Sequence, residues 1–540
     1  MEPHLEASST ATPEPEDTAP PLAARLPPAI LSRVFELLHD DSKRETSLEW
    51  IKTSHVCRHW RTQALGHKLL WASLNPVILS RGLLDVFLER SEGVPLAVFV
   101  DVISDCDDWT IRQAYKMVLT TQLHRVRSLA YAPSVAPWPV PTAEELVPLL
   151  KQPAPLLQAL LLPGFKRSKF LYREARTLLT FLLEHAPNIQ ELELTQFPPQ
   201  CFPWGSPPAA MRTLVLSADS SVEGTSTLTF SLLLEGLGAM PALQTLSLSG
   251  VIPKDVSGTH VHDIVHLPHL QKLRLSGSGE QYARLWYHLK THRECAVRIE
   301  IVRSPTFPAI LPAALARHYA ECDVSSSDEL FVKRNTAYGL AYDLYPIGQP
   351  PDECTPPSHP YTHPSVSLFV AWENRKEAAP ELPAVQIFAA TPISNIKILA
   401  VAAVDAERIE PERFIAFGPL VGAIEDLTLV AYRPSQLSSM FLILGGTLSP
   451  GSSHEGDKVP MPHLRSITLK QCRFDRDIAG PTLLDVLERR AQFGVMLNVL
   501  SFVDCGLDPG RAEELEVDFV KSGLIQCIRC DGDSVGVSPV

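Results

Sequence analysis

LPPAILSRVFELLHDDSKRETSLEWIKTSHVCRHWRTQALGHKLLW, residues 26–71, organises the reading of the chain. Leu26-Pro27-Pro28 opens a helix, because first-turn N–H groups lack an intrahelical partner and proline is tolerated there. Ile30, Leu31, Val34, Phe35, Leu37 and Leu38 recur at helical spacing. A second helix carries Val56, Cys57, Trp60, Ala64 and Leu65 on one side and Arg58, His59 and Arg61 on the other, and Leu69-Leu70-Trp71 closes the stretch. So short a segment buries only a small fraction of its surface alone. Its apolar remainder asks for a partner.

The order Leu26-Pro27, Ile30/Leu31/Val34/Phe35, Val56-Cys57-Arg58-His59-Trp60, Leu70-Trp71 resembles an F-box. The connector His39–Thr46 is longer and more charged than that family's pattern. The resemblance implies docking onto a Skp-type adaptor and, through it, the cullin of a cullin-RING ubiquitin ligase. The implied adaptor-binding residues are Leu26, Pro27, Ile30, Leu31, Val34, Phe35, Val56, Cys57, Trp60, Leu70 and Trp71.

Beyond Trp71 a helix-then-strand unit recurs, starting with a helix at Arg81–Arg90 and a strand at Pro95–Val102. Its signature is apolar-x-x-apolar-x-apolar. It appears at Val126/Leu129/Tyr131, Leu157/Leu160/Leu162, Ile189/Leu192/Leu194, Met211/Leu214/Leu216, Leu243/Leu246/Leu248 and Leu270/Leu273/Leu275. It returns at Ile424/Leu427/Leu429, Leu464/Ile467/Leu469 and Leu497/Leu500/Phe502. Pro155, Pro187, Pro241, Pro268 and Pro462 precede the signature, and helical runs at Leu178–Leu183, Leu232–Leu237 and Leu483–Leu487 precede several units. A spacing of roughly 22–40 residues suits an irregular leucine-rich repeat, in which stacked neighbours bury each unit's apolar face. The expected fold class is α/β: an N-terminal helical F-box followed by a right-handed horseshoe solenoid.

The expected divisions are a Pro/Glu/Thr-rich disordered leader (1–22), the F-box (23–75), a repeat array (76–302), a proline-rich insertion or loop (303–364) and the C-terminal array (365–540). Within them Tyr345–Pro364 and Gly445–Pro460 read as loops, with strands resuming at Ser365–Trp372, Val385–Phe388 and Ile396–Val401. The combination of F-box, an LLDVFLERS helix and degenerate repeats is similar to the large F-box families of mushroom-forming fungi.

Composition sets the remaining bounds. The 540 residues are 45% hydrophobic and 20% charged, with a net charge of −13. A basic excess normally marks a nucleic-acid binder, so no nucleic acid is expected. No apolar run approaches a membrane span, no secretory signal is visible, and no Asn-x-Ser/Thr acceptor occurs. The ten cysteines show no spaced framework and read as reduced thiols of a cytoplasmic or nuclear protein.

Candidate chemical sites reduce to architecture. Cys472 and Cys505 occupy the Asn/Cys slot that follows a leucine-rich strand. Cys527-x-x-Cys530 lacks a second ligand pair for zinc. His262/His266 and His288/His292 have helical i, i+4 spacing, but Asp263 and Leu289 stand where a zinc protease needs glutamate. Ser276–Gly279 reads as a turn. No catalytic residue, cofactor or metal is expected, and the partners are the adaptor and a protein target carried by the repeats. An F-box scaffold without ubiquitination, and an enzyme with its site in the array or the 303–364 region, stay open as alternatives.

Overall fold

The computed structural model describes residues 25–45, 49–101, 108–132, 148–163, 171–218, 228–253, 264–277, 280–292, 295–304, 310–320, 327–336, 339–346, 366–372, 397–402, 424–445, 461–474, 476–507 and 509–530. The leader 1–22, Val385–Phe388, His262, and nearly all of Tyr345–Pro364 and Gly445–Pro460 lie outside the described residues. The chain divides into two compact units. The first is Met1–Pro163 with Glu184–Asn188; the second is Gly164–Leu183 with Ile189–Val540.

In the first unit four helices follow one another: α1 (Pro28–Glu45), α2 (Glu49–Thr53), α3 (Arg58–Gly66) and α4 (Lys68–Trp71). The proline that opens α1 lies where no N–H is needed, and the amides of Ile30 and Leu31 bond back to the Pro27 carbonyl at 3.0 and 3.1 Å. The charged stretch expected as a connector continues α1 instead, as far as Glu45. No glycine or proline interrupts DDSKRE, so nothing stops the ladder there. Next come β1 (Ser73–Leu74), α5 (Pro76–Ser80), α6 (Leu84–Ser91), β2 (Leu96–Asp101), α7 (Asp108–Gln122), β3 (Val126–Ala132) and β4 (Ala159–Pro163). The strands pair in chain order and all run parallel. Parallel pairing requires a crossover; α5 and α6 supply it between β1 and β2, and α7 between β2 and β3. α6 stops at Glu92 and Gly93, whose φ of +37° and +82° place both in the left-handed region.

The second unit, taken by itself, is also a mostly parallel α/β arrangement. Its strands are β5 (Glu191–Thr195), β6 (Thr213–Ser217), β7 (Thr245–Ser249), β8 (Val265–Leu267), β9 (Lys272–Gly277), β10 (Leu289–Thr291) and β11 (Ala296–Ser304). They continue with β12 (Ser327–Thr336), β13 (Gly339–Pro346), β14 (Val366–Trp372), β15 (Ile398–Ala402), β16 (Asp426–Val430), β17 (Ser466–Lys470), β18 (Leu497–Val503) and β19 (Ile525–Cys530). Pairing runs β5-β6-β7-β9-β11, then β14-β13-β12, then β15-β16-β17-β18-β19. Only β13 opposes its neighbours within this series. β8 and β10 form a separate parallel pair.

Each leucine signature coincides with a strand, from β3 through β18. Leu192/Leu194, Leu214/Leu216, Leu246/Leu248 and Leu273/Leu275 align in register and are buried, as strand alternation requires of the core face. The region 303–364, expected as an insertion or loop, contributes a helix (Leu311–Ala320) and the antiparallel β12–β13 pair. Hydrogen bonding is therefore continuous from β11 to β15. Parallel-strand leucine spacing does not mark a hairpin, whose register is set by its turn.

A recurring turn follows the strands. Gln196, Gly250, Ala431, Gln471 and Asp504, each just after a strand, have φ between +52° and +67°. A left-handed conformation costs a side-chain-bearing residue about 1 kcal/mol. Here the ladder gains one more hydrogen bond: the amides of Gly250, Ala431 and Gln471 reach Ser276, Lys470 and Val503 carbonyls at 2.9, 2.9 and 2.8 Å. The turn also folds the next side chain inward, and Phe197, Val251, Tyr432 and Cys472 are all buried.

Candidate interaction surfaces

The helical region of the first unit is built around aromatic rings drawn from separate elements. Trp50 of α2 meets Trp71 of α4 edge-on at 5.2 Å, and Trp71 meets Phe87 of α6 at 5.0 Å. His39 approaches Trp50 at 6.2 Å, and the Arg90 guanidinium lies 4.3 Å from the Trp71 ring centroid. Such edge-to-face and cation–ring contacts add to simple burial. The Trp71 indole N–H donates to the Ala64 carbonyl at 3.0 Å, which satisfies its one polar atom inside the core. Trp60 meets Phe35 at 5.7 Å, and the His59 ring Nε2 lies 3.0 Å from the Leu26 carbonyl, tying the start of α1 to α3.

This packing sorts the residues of the F-box-like pattern into two groups. Leu31, Phe35, Leu70 and Trp71 are buried in the unit itself. The resemblance implied adaptor contact for these four; in the unit their side-chain surface is taken up by its own core. Leu26, Val34, Cys57 and Trp60 are half-buried, while Pro27, Ile30 and Val56 are exposed. Ile30 keeps 52% of its surface in solvent and Val56 54%. Leu37, Leu38, Leu65 and Leu69 are also exposed, Leu69 at 56%. α1 thus carries two apolar stripes. Leu31, Phe35 and His39 face the core at i, i+4, i+8, and Ile30, Val34, Leu37 and Leu38 lie along an adjacent stripe open to solvent.

The sheet of the second unit presents a second surface. Alternation buries the leucines and leaves the intervening residues on the other face. Register places Glu193, Val215, Ser247, Arg274 and Arg298 in one row across β5, β6, β7, β9 and β11. The row before it is Glu191, Thr213, Thr245 and Lys272; the row after it is Thr195, Ser217, Ser249, Ser276 and Glu300. Glu300 accepts from the Arg298 Nε at 2.6 Å and from Arg274 at 3.5 Å. Burial raises the Glu300 pKa, but the Arg298 and Arg274 guanidiniums and the Ser276 hydroxyl outweigh it, and the carboxyl is held below its usual value. Glu193 is half-buried and burial raises its pKa. None of these charges was singled out by the sequence reading, because only strand register brings them into rows.

The residues read as architecture lie in the turns and strands. Cys472 Sγ donates toward the carbonyls of Leu429 at 3.1 Å and Lys470 at 3.3 Å, and receives the Tyr432 amide at 3.4 Å. Cys505 Sγ repeats the arrangement one strand on, at 3.1 Å from Leu469 O and 3.4 Å from Val503 O. Each thiol bridges its own turn to the preceding strand. Burial pushes the Cys472 thiol up to about 12, against the pull of the Tyr432 amide and with a smaller push from Cys505. Cys527 and Cys530 stand on β19, an odd number of residues apart, and so project to opposite faces of the strand. His288 is buried against Phe230 and Tyr287, whereas His292 is exposed beyond β10. Ser276 and Gly277 end β9. Among the described residues no group of three or more His, Cys, Asp or Glu side chains is arranged to hold a metal ion, and no helix is long and apolar enough to cross a membrane.

Arg490 is a further buried charge that the sequence reading missed. It is 1% exposed, and its Nη2 donates to the Met461 carbonyl at 2.9 Å, tying the helix Arg476–Gln492 to the turn before β17. Burial pushes its pKa down to about 10.

No family model matches the chain, and a search of curated proteins finds no match either.

Proposed function

We propose that the chain is the substrate receptor of an SCF-type cullin-RING ubiquitin ligase. The region 26–71 docks a Skp-type adaptor, the adaptor links it to a cullin, and the second unit holds a protein target. The observation that carries this reading is the solvent-facing apolar stripe on α1, with Val56, Leu65 and Leu69 beside it in a stretch that follows the F-box order of residues. A buried leucine or isoleucine side chain contributes about 1.5–3 kcal/mol, and a few such anchors dominate a typical interface. The inward-facing half of the same pattern builds the aromatic core that holds those anchors in place.

On this reading the parallel strands, their recurring left-handed turns and the bridging thiols are those of an irregular leucine-rich-repeat solenoid. The strands' outer face is the target surface. The chain contributes position and local concentration rather than bond chemistry, so no catalytic residue, cofactor or metal is assigned. Its place of action is the cytoplasm or nucleus.

The test is co-expression with a Skp-type adaptor and measurement of co-purification. Ile30→Asp combined with Leu69→Asp alters exposed positions and leaves the core intact, which circular dichroism verifies. Capture by the parent and its loss in the folded variant support the reading. A folded parent that captures no adaptor offered from its own cell ends it.

A further inference from the structure

We propose that the outer face of β5–β11 binds an extended protein segment that crosses the strands, with acidic side chains over Lys272, Arg274 and Arg298 and a basic side chain over Glu191 and Glu193. This rests on the reading of that face as the target surface, but not on adaptor docking.

The argument starts from a local conflict. Arg274 and Arg298 are register partners on adjacent strands, about 4.8 Å apart, and like charges placed directly opposite destabilise a sheet. Glu300 serves both guanidiniums and so offsets one charge of the two. Lys272, two residues before Arg274 on the same face, is exposed and has no ion pair among the described residues. The basic end therefore carries net positive charge in a place where the fold gains nothing from it.

The opposite end mirrors this. Glu191 is exposed and Glu193 half-buried, and neither has a cationic partner among the described residues. Between the two ends, β6 and β7 contribute Thr213, Val215, Ser217, Thr245, Ser247 and Ser249, which are short and uncharged. A segment lying there meets hydroxyls that can donate to and accept from its backbone.

The two signs decide the class of partner. A polyanion such as a nucleic acid would meet repulsion at β5; a peptide with charges of both signs satisfies both ends. Three strand spacings separate β5 from β9 and four separate it from β11, about 14 to 19 Å in all. An extended chain covers that distance in about four to six residues.

The probe is a surface array of synthetic dodecamers in which a Glu pair and a Lys pair are separated by every interval from one to eight residues. The labelled full-length chain is applied without any adaptor. The expected signal peaks at a separation of about four to six residues and falls about tenfold with Arg274→Glu/Arg298→Glu. Should circular dichroism show that double variant to be unfolded, Lys272→Glu, at an exposed position without an ion pair, must lower the same peak. A flat response to separation, no signal, or a peak that survives charge reversal overturns the proposal. Adaptor capture is measured separately, so its failure would sink the ligase reading and leave this one standing, and the reverse also holds.

Discussion

Trp71→Ala and Leu69→Ala, two residues apart on the same short helix, should differ in cost by nearly an order of magnitude. Trp71 is 5% exposed, touches Trp50, Phe87 and Arg90, and gives its indole proton to the Ala64 carbonyl. A tryptophan buries about 150–250 Å², which at about 25 cal/mol per Å² corresponds to about 4–6 kcal/mol; core truncations of this size cost about 3–5 kcal/mol. The expected loss is therefore about 4 kcal/mol, mostly from the cavity and in smaller part from the lost indole hydrogen bond to the Ala64 carbonyl, which keeps the His67 amide as a donor. Leu69 is 56% exposed, and its truncation should cost within about 0.5 kcal/mol. Because the chain has two units, a single melting temperature would blur the contrast. Peptide-resolved hydrogen exchange over α1–α4 and β1 reads the local opening free energy instead. Trp71→Ala should raise exchange throughout that segment, while Leu69→Ala should leave it unchanged. Equal effects of the two variants, in either direction, would refute the division between inward core and outward anchors.

Two further outcomes can be checked, chiefly on the second unit. A Cβ added at Gly277 would lie 2.2 Å from Cζ and Oη of the buried Tyr282 ring; burial pushes that phenol up to about 12, against the pull of the backbone amides of Ile252, Gly250 and Val251. Gly277→Ala should therefore cost about 3 kcal/mol by overpacking and a displaced hydrogen bond, whereas Gly66→Ala, which meets no atom within 4 Å, should cost nothing; chemical denaturation of both variants decides it. Burial likewise pushes the Cys201 and Cys472 thiols from 9.0 up to about 12. Both should resist a thiol reagent at pH 8 until urea is added. Because the folded state holds these protons more tightly than the unfolded one, their contribution to stability is complete below pH 9 and should be lost as pH rises from about 9 to 12; rapid labelling of either thiol in the native protein would contradict the burial argument.

How much was legible in the sequence follows from what each signal measures. The apolar signature at i, i+3 and i+5 revealed nine strands, β3–β7, β9 and β16–β18, because alternation along a strand is local and the buried face must be apolar. Cys472 and Cys505 were legible for the same reason: their place is set by the strand just before them. The β12–β13 pair was not legible, since an antiparallel excursion carries no leucine signature of the parallel kind. Nor was the full extent of α1, where charge was read as a connector although nothing in His39–Glu45 breaks a helix. The F-box-like stretch was half legible. Its pattern marked the apolar positions correctly but could not divide them, because inward and outward stripes on α1 differ by one residue. Trp50, Phe87 and Arg90 settle that division, and they come from elements whose meeting with Trp71 no periodicity foretells.

The charges of the sheet face were hidden for a different reason. Glu193, Arg274 and Arg298 are separated by many residues and become neighbours only through register, and each taken alone is an ordinary solvated side chain. Once aligned, they violate a rule that the rest of the sheet keeps. The outer positions of β6 and β7 are uncharged, and those of β16 and β17 alternate Asp426, Thr428, Ser466 and Thr468 with no like charges opposed. Stability alone would favour replacing one of the paired arginines, since Glu300 can neutralise only one of them. A cost confined to one end of one surface, with the opposite sign at the other end, is more economically explained by something that binds there than by folding.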